Sequence, residues 1–258
     1  MRYEVIDLLG GPIRADRRDT SFQSALPSGV GVEKLIEQLA ADLDGYATHR
    51  KFPRKLKLDE AAEVAAFVHE QVDHGVEART DAIARSNTSL ACARGCTGCC
   101  EEPIMIFRPE AARVARWLAR PENADARAAF LAAYPAWKER IGDAVTRLSE
   151  LYATDSANYV AHHVDAWRKG VLCAFNQNGD CTVYPVRPTV CRTGHALETS
   201  EHCSGASETP AARATFVPLD DFVTRTRRLL LATHNATRGS RGRPEALPHA
   251  VFAMLEQG

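Results

Sequence analysis

Apolar residues recur at three- and four-residue intervals along most of the chain, which is the spacing of an amphipathic helix. The segments that carry this pattern are 32–43, 59–76, 109–118, 123–170, 222–231 and 250–255. Asp59 is a plausible N-cap for the second segment, and Pro109 and Pro121 delimit the third. The pattern predicts a mainly α fold, a helical scaffold with one further short apolar run at 104–107.

Two polar stretches interrupt the helical pattern and predict loops. Residues 84–95 are rich in Ser, Asn, Thr and Gly, and residues 173–203 are rich in Gly, Asn, Pro and Thr. A Gly- and Pro-punctuated stretch over 1–30 predicts an irregular N-terminal arm. We therefore expect a single helical domain over 31–258, without internal repeats, that carries two cysteine-rich metal-binding loops in a core at about 90–205.

The composition limits the partners and the cellular location that the sequence predicts. Of its 258 residues, 45% are hydrophobic and 25% charged, and the formal net charge is −1. This balance favours neither nucleic acid nor a membrane surface as a partner. No apolar run reaches the roughly 18 residues of a spanning helix, and the acidic start of the chain does not resemble a secretory signal. These features predict a cytoplasmic location.

Eight cysteines occur in two short groups and nowhere else in the chain. The first group is Cys92, Cys96, Cys99 and Cys100, and the second is Cys173, Cys181, Cys191 and Cys203. Clustered thiols in a reducing compartment are more often metal ligands or catalytic groups than disulfides. All eight are therefore candidate metal ligands, and a thiol-redox protein remains an alternative.

The spacing of the first group favours an iron–sulfur cluster over one zinc ion. Cys96 and Cys99, which are separated by two residues, form a good chelating pair. Adjacent side chains such as Cys99 and Cys100 are expected to diverge, which suits a cluster of several irons better than one tetrahedral ion. The preferred ligand set takes one pair from each group, Cys96 and Cys99 with Cys181 and Cys191.

Charge supplies a second constraint on the centre. Four thiolates around Zn²⁺ or a [4Fe–4S]²⁺ cluster already leave about two net negative charges. Eight thiolates therefore imply a second site or cysteines with other roles. Arg187 and Arg192 flank Cys191 and are candidates to offset this charge and to donate hydrogen bonds to sulfur.

The cysteine motifs resemble a known family. The run Cys92-x3-Cys96-x2-Cys99-Cys100, followed by Cys181-Thr-Val-Tyr-Pro-Val-Arg187-Pro-Thr-Val-Cys191-Arg192, is similar to the YkgJ-like cysteine-cluster family. The resemblance covers roughly residues 90–205. It implies a zinc- or iron-chelating domain related to flagellin lysine-N-methylase, and for the methylase relatives an iron–sulfur centre and methyl transfer to protein lysine. No Gly-rich strand-to-helix turn for S-adenosylmethionine accompanies it.

Several functions stay open on the sequence. The leading hypothesis is an iron–sulfur (or zinc) protein in peptide or protein modification or electron transfer, with a peptide, protein or redox partner. The alternatives are a methylase-like protein N-methyltransferase and a non-catalytic structural zinc module, so whether the chain is an enzyme is open. His195 and His202 could replace a thiol ligand, although polar loop positions are the commoner case.

Overall fold

A computed structural model describes residues 55–85, 89–93, 95–152, 154–208 and 217–256, together with Ala41. The arm predicted over 1–30 lies outside the described residues, as does the helix predicted over 32–43 apart from Ala41, which is helical. The described part contains seven α-helices and four two-residue strands. The predicted mainly helical fold is therefore confirmed.

The helices account for most of the described chain. They are α1 (Leu58–Ala84), α2 (Arg108–Leu118), α3 (Ala124–Leu151), α4 (Ser156–Trp167), α5 (Thr189–Thr193), α6 (Val217–Ala236) and α7 (Leu247–Leu255). Short 3₁₀ helices cover Gly98–Glu101, Pro121–Asn123 and Tyr184–Val186. Helix α1 packs along α2 and also contacts α5 and α6.

The strands form two small antiparallel pairs. Strand β1 (Met105–Ile106) pairs with β4 (Glu245–Ala246), with Met105 opposite Ala246. Strand β2 (Asn176–Gln177) pairs with β3 (Asp180–Cys181) in a hairpin, with Asn176 opposite Cys181. The second cysteine segment, predicted as loop and turn, thus also contains a hairpin and the single-turn helix α5.

Prolines in the sequence predicted the boundaries of α2 correctly, but the predicted N-cap of α1 was wrong. Helix α2 has Pro109 in its first turn and ends before Pro121, as predicted. The N-cap of α1 is Lys57, so the assignment of Asp59 to that position was wrong. The Glu60 carboxylate accepts the Lys57 backbone N–H at 2.8 Å and stabilises the helix start from inside the first turn.

An apolar core runs between the long helices and reaches the second cysteine segment. Val64 and Val68 of α1, Val114 of α2 and Phe130 of α3 are fully buried. Phe175, next to the β2–β3 hairpin, stacks on Phe130 with ring centroids 4.1 Å apart. This stack anchors the hairpin to the helical core.

No helix in the described ranges combines the length and apolarity needed to cross a membrane.

A buried histidine joins α6 to the start of α2 and makes stability sensitive to acid. His234 Nδ1 accepts the Arg108 backbone N–H at 3.1 Å, so it must be unprotonated. Burial, with the nearby charge of Arg108, lowers the pKa of His234 to about 4. Because the ordinary value is about 6.5, the unfolded chain binds the proton first. The stabilisation is present above that ordinary value and is lost as pH falls toward the folded pKa.

We expect acidification from pH 7 to pH 5 to remove about 2 kcal/mol of unfolding free energy through His234 alone. A His234→Asn variant keeps an acceptor for the Arg108 N–H and does not titrate. Urea unfolding at both pH values should therefore show a smaller loss for the variant than for the unsubstituted protein. Equal losses would show that His234 is not the group responsible.

Candidate metal centre

The two cysteine segments meet in space. An antiparallel bridge joins Leu90 to Leu197. Nearer the thiols, the Cys173 backbone N–H donates to the Cys100 carbonyl oxygen at 2.7 Å. Backbone hydrogen bonds therefore hold residues 89–93 and 95–100 against residues 173–198, although a long helical insert separates them in sequence.

Five thiols form one interacting group, which we call the five-thiol group. Its members are Cys99, Cys100, Cys173, Cys181 and Cys191. Cys191 interacts electrostatically with Cys99, Cys173 and Cys181, and Cys100 interacts with Cys173 and Cys181. All eight cysteines of the chain are free thiols. The fold thus gathers sulfur from a 3₁₀ helix, a hairpin and helix α5.

The adjacent pair Cys99 and Cys100 differs from the expectation. Their side chains are hydrogen-bonded to each other, so the two sulfurs lie close together. Neighbouring side chains point to opposite faces in an extended chain, but the 3₁₀ helix Gly98–Glu101 turns them by only about 120° per residue. The sulfurs of Cys99 and Cys100 are therefore close enough to bind the same metal centre.

The other three cysteines have separate environments. The Cys92 sulfur accepts the Ala196 N–H at 3.1 Å and interacts with Arg79. Cys203 is buried against Gly98, where an added Cβ would lie 2.5 Å from the Cys203 Cβ. Cys96 precedes the 3₁₀ helix at a turn. Of the preferred ligand set, Cys99, Cys181 and Cys191 belong to the five-thiol group, and Cys96 is not a member.

The buried Cys173 and Cys191 thiols are neutral, whereas the side-chain hydrogen bond with Cys99 holds the pKa of Cys100 below its ordinary value. Burial raises the pKa of Cys173 to about 12 and that of Cys191 well above its ordinary value. Among the described residues, no three His, Cys, Asp or Glu side chains are already arranged as ligands of a metal ion. A cation would have to displace thiol protons and draw the sulfurs together.

Hydrogen-bond donors surround the five-thiol group. The backbone N–H of Phe175 stabilises the Cys173 thiolate, and that of Val183 stabilises the Cys181 thiolate. Asn176 Nδ2 is buried beside Cys100 without a hydrogen-bond partner in the described part of the chain, and Asn176 Oδ1 accepts the Gly179 N–H at 3.2 Å. Such N–H···S contacts hold ligand sulfurs in place and temper their charge in metal–sulfur sites.

Arg187 is the cation beside these sulfurs. Burial raises the pKa of Cys181, and the positive charge of Arg187 opposes that shift. The guanidinium stacks over the Tyr184 ring at 3.7 Å. Its Nε and Nη1 are buried and have no hydrogen-bond partner in the described part of the chain. Buried donors of this kind normally have a partner, so their surroundings suit an anionic group such as a thiolate-ligated cluster.

Arg192 contacts helix α1 and two backbone carbonyl oxygens. Its guanidinium pairs with Asp73 of α1 and donates to the carbonyl oxygens of Arg187, at 2.7 Å, and Pro185, at 2.9 Å. These contacts use Nε, Nη1 and Nη2 of the guanidinium. Arg192 therefore fixes the loop that leads into Cys191, which is a positioning role.

Helix α5, which carries Cys191, is held at its start by a buried pair that the sequence did not reveal, Glu110 and His69. Glu110 Oε1 accepts hydrogen bonds from His69 Nε2 at 3.1 Å and from the Thr189 N–H, the first residue of α5, at 2.8 Å. Burial alone would raise the pKa of Glu110, but these hydrogen bonds hold it below its ordinary value. Burial lowers the pKa of His69 to about 4, so this ring is neutral.

The two loop histidines make contacts of their own. His195 Nδ1 accepts from Arg79 Nη2 at 2.8 Å, and His202 Nδ1 lies 3.2 Å from the Ser207 hydroxyl.

Comparisons of the chain with protein-family models, curated proteins and solved structures gave no match. The resemblance to the YkgJ-like family therefore stays a prediction from the cysteine motifs.

Proposed function

We propose that this protein binds an iron–sulfur cluster through the five-thiol group. The observation that carries the proposal is the convergence of five free thiols from both cysteine segments among buried N–H donors. Free cysteines that serve only as small apolar side chains do not require amide and guanidinium donors beside their sulfurs. Metal–sulfur centres do, because thiolate ligands carry charge that must be offset inside the protein.

The adjacent pair Cys99 and Cys100 favours a cluster over a single zinc ion, because the two sulfurs can bind different irons of one cluster. Four of the five thiols suffice for either centre. The unpartnered Arg187 donors suit the net negative charge that four thiolates leave on the centre. Cys92, Cys96 and Cys203 remain candidates for a second site.

An iron–sulfur cluster supplies one-electron transfer or activation of a bound substrate. The chain contributes the fixed positions of its thiols, the donors that tune them and a surface nearby. Tyr184, stacked on Arg187, and Leu172, next to Cys173, are exposed apolar side chains close in sequence to ligand candidates. We accordingly propose a peptide, protein or redox partner and a cytoplasmic location, where thiols stay reduced.

Purification without oxygen, followed by quantification of iron, acid-labile sulfide and zinc, tests the proposal. We expect a brown protein with iron and sulfide in similar amounts. A colourless protein with stoichiometric zinc would support the structural-zinc alternative instead. Protein without metal, with thiols that oxidise and reduce reversibly, would support the thiol-redox alternative.

Separate Cys181→Ser and Cys191→Ser substitutions are expected to lower iron and sulfide content several-fold, because each removes a member of the five-thiol group. Cys92→Ser is the matched control, since the Cys92 sulfur is outside the five-thiol group and accepts the Ala196 N–H, so the cluster held by that group should be retained. Metal analysis with circular dichroism of each variant provides the measurement. Normal cluster content in a folded Cys181 or Cys191 variant would remove that residue from the ligand set.

A further inference from the structure

A narrow cleft opens beside the five-thiol group. Two of the residues that line it, Cys100 and Cys173, are members of that group. The remaining lining residues are two adjacent carboxylates and a mainly apolar wall: Glu101, Glu102, Pro103, Ile104, Trp137, Ile141, Val171 and Pro248. Thiols and carboxylates therefore share one small opening in the described surface.

The dimensions of the cleft limit what can enter it. The free space inside has room for about one water molecule at a time. The apolar wall includes Trp137, Ile141 and Val171, all held in the core. An organic substrate is too large for this opening, whereas a single ion that sheds its water fits it.

The carboxylates are the only charged groups that line the cleft within the described residues. Glu101 Oε2 accepts the Ser204 hydroxyl at 2.7 Å, which leaves its other oxygen available. Glu102 Oε1 lies 3.8 Å from His163 Nε2, beyond hydrogen-bond distance. Carboxylate oxygen binds divalent cations readily and exchanges them, and thiolate sulfur binds iron, zinc and cadmium more firmly.

We propose that this cleft is the route by which a divalent cation reaches the five-thiol group, with Glu101 and Glu102 as the first ligands on the way. The inference rests on the proposed function, because it presumes that the thiols bind metal. The incoming ion exchanges water for carboxylate oxygen and then carboxylate oxygen for sulfur. Each thiol that binds releases its proton to solvent.

Cadmium uptake by the metal-free, reduced full-length chain tests the route. Cd²⁺ is mixed with the protein without oxygen, and the ultraviolet cadmium–thiolate band is followed by stopped flow. We expect the double variant Glu101→Gln, Glu102→Gln to take up Cd²⁺ roughly tenfold more slowly, because the attraction of the two charges is lost, and to reach the same final stoichiometry. Glu122→Gln, an exposed carboxylate in the 3₁₀ helix Pro121–Asn123, is the control and should load at the normal rate.

A second variant tests the opening itself. Val171→Phe adds bulk to the wall and is expected to slow both cadmium uptake and release to a chelator, without a change in final stoichiometry. If the folded double variant and Val171→Phe both take up cadmium at the normal rate, the proposed route is wrong, whereas metal binding by the thiols is unaffected. A lower stoichiometry in the double variant would make the glutamates permanent ligands and also overturn it. If the unsubstituted chain forms no cadmium–thiolate band, the proposed function and the route fail together.

Discussion

Replacing Phe175 with alanine is expected to lower the free energy of unfolding by about 3–5 kcal/mol, the usual cost of deleting a buried phenylalanine ring. Phe175 is fully buried, stacks on Phe130 and lies between Cys173 and Cys181. Loss of the stack also frees the β2–β3 hairpin from the core. We therefore expect most of the metal to be lost even where the helices remain folded.

Phe252→Ala is the matched control for this effect. Phe252 of α7 stacks on Tyr134 with ring centroids 3.9 Å apart, and it is only partly buried. Its removal should reduce stability to a smaller extent and leave metal content unchanged. Urea unfolding of the metal-free proteins, with metal analysis of the same preparations, separates the two outcomes. Equal metal content in the two variants would contradict the role of Phe175 as the anchor of the hairpin.

Glu110→Ala is expected to lower the free energy of unfolding by about 2–4 kcal/mol, because it leaves two buried donors without an acceptor. These donors are His69 Nε2 and the Thr189 N–H at the start of α5. The same change releases the turn that carries Cys191, so metal affinity should fall as well. Urea unfolding and competitive chelator titration measure the two effects.

Glu110→Gln provides the conservative comparison. Its amide oxygen can still accept the Thr189 N–H, so we expect it to recover much of the metal affinity and part of the stability. An exposed carboxylate, Glu122, supplies the control substitution Glu122→Ala, for which no change is expected. Full stability in Glu110→Ala would show that this buried acceptor is dispensable.

Local signals predicted the elements whose boundaries depend on the chain itself. Helix α2 begins at Arg108, next to Pro109, and ends before Pro121, because proline restricts its own backbone and that of its neighbours. At the start of α1, the N-cap preference of Asp59 indicated the wrong residue. The Glu60 carboxylate accepts the Lys57 N–H, and the N-cap lies two residues earlier, at Lys57.

The proximity of the two cysteine groups was predictable from the sequence, and the membership of the five-thiol group was only partly so. Two clusters of thiols on either side of a helical insert predict that the groups share one centre. Cys173 and Cys100, outside the preferred set of four, join the group because a backbone hydrogen bond brings their segments together. The sequence carries no signal for the role of Glu110, because its partners His69 and Thr189 lie 41 and 79 residues away.

The sequence by itself determined that the described chain is mainly helical and that its cysteines are confined to two segments, because periodicity and residue spacing are properties of neighbouring residues. Only the tertiary structure decided which thiols meet, that Arg192 pairs with Asp73, and that Glu110 supports Cys191. These outcomes depend on contacts between residues far apart in the chain. Such contacts follow from the packing of whole helices, which no local pattern encodes.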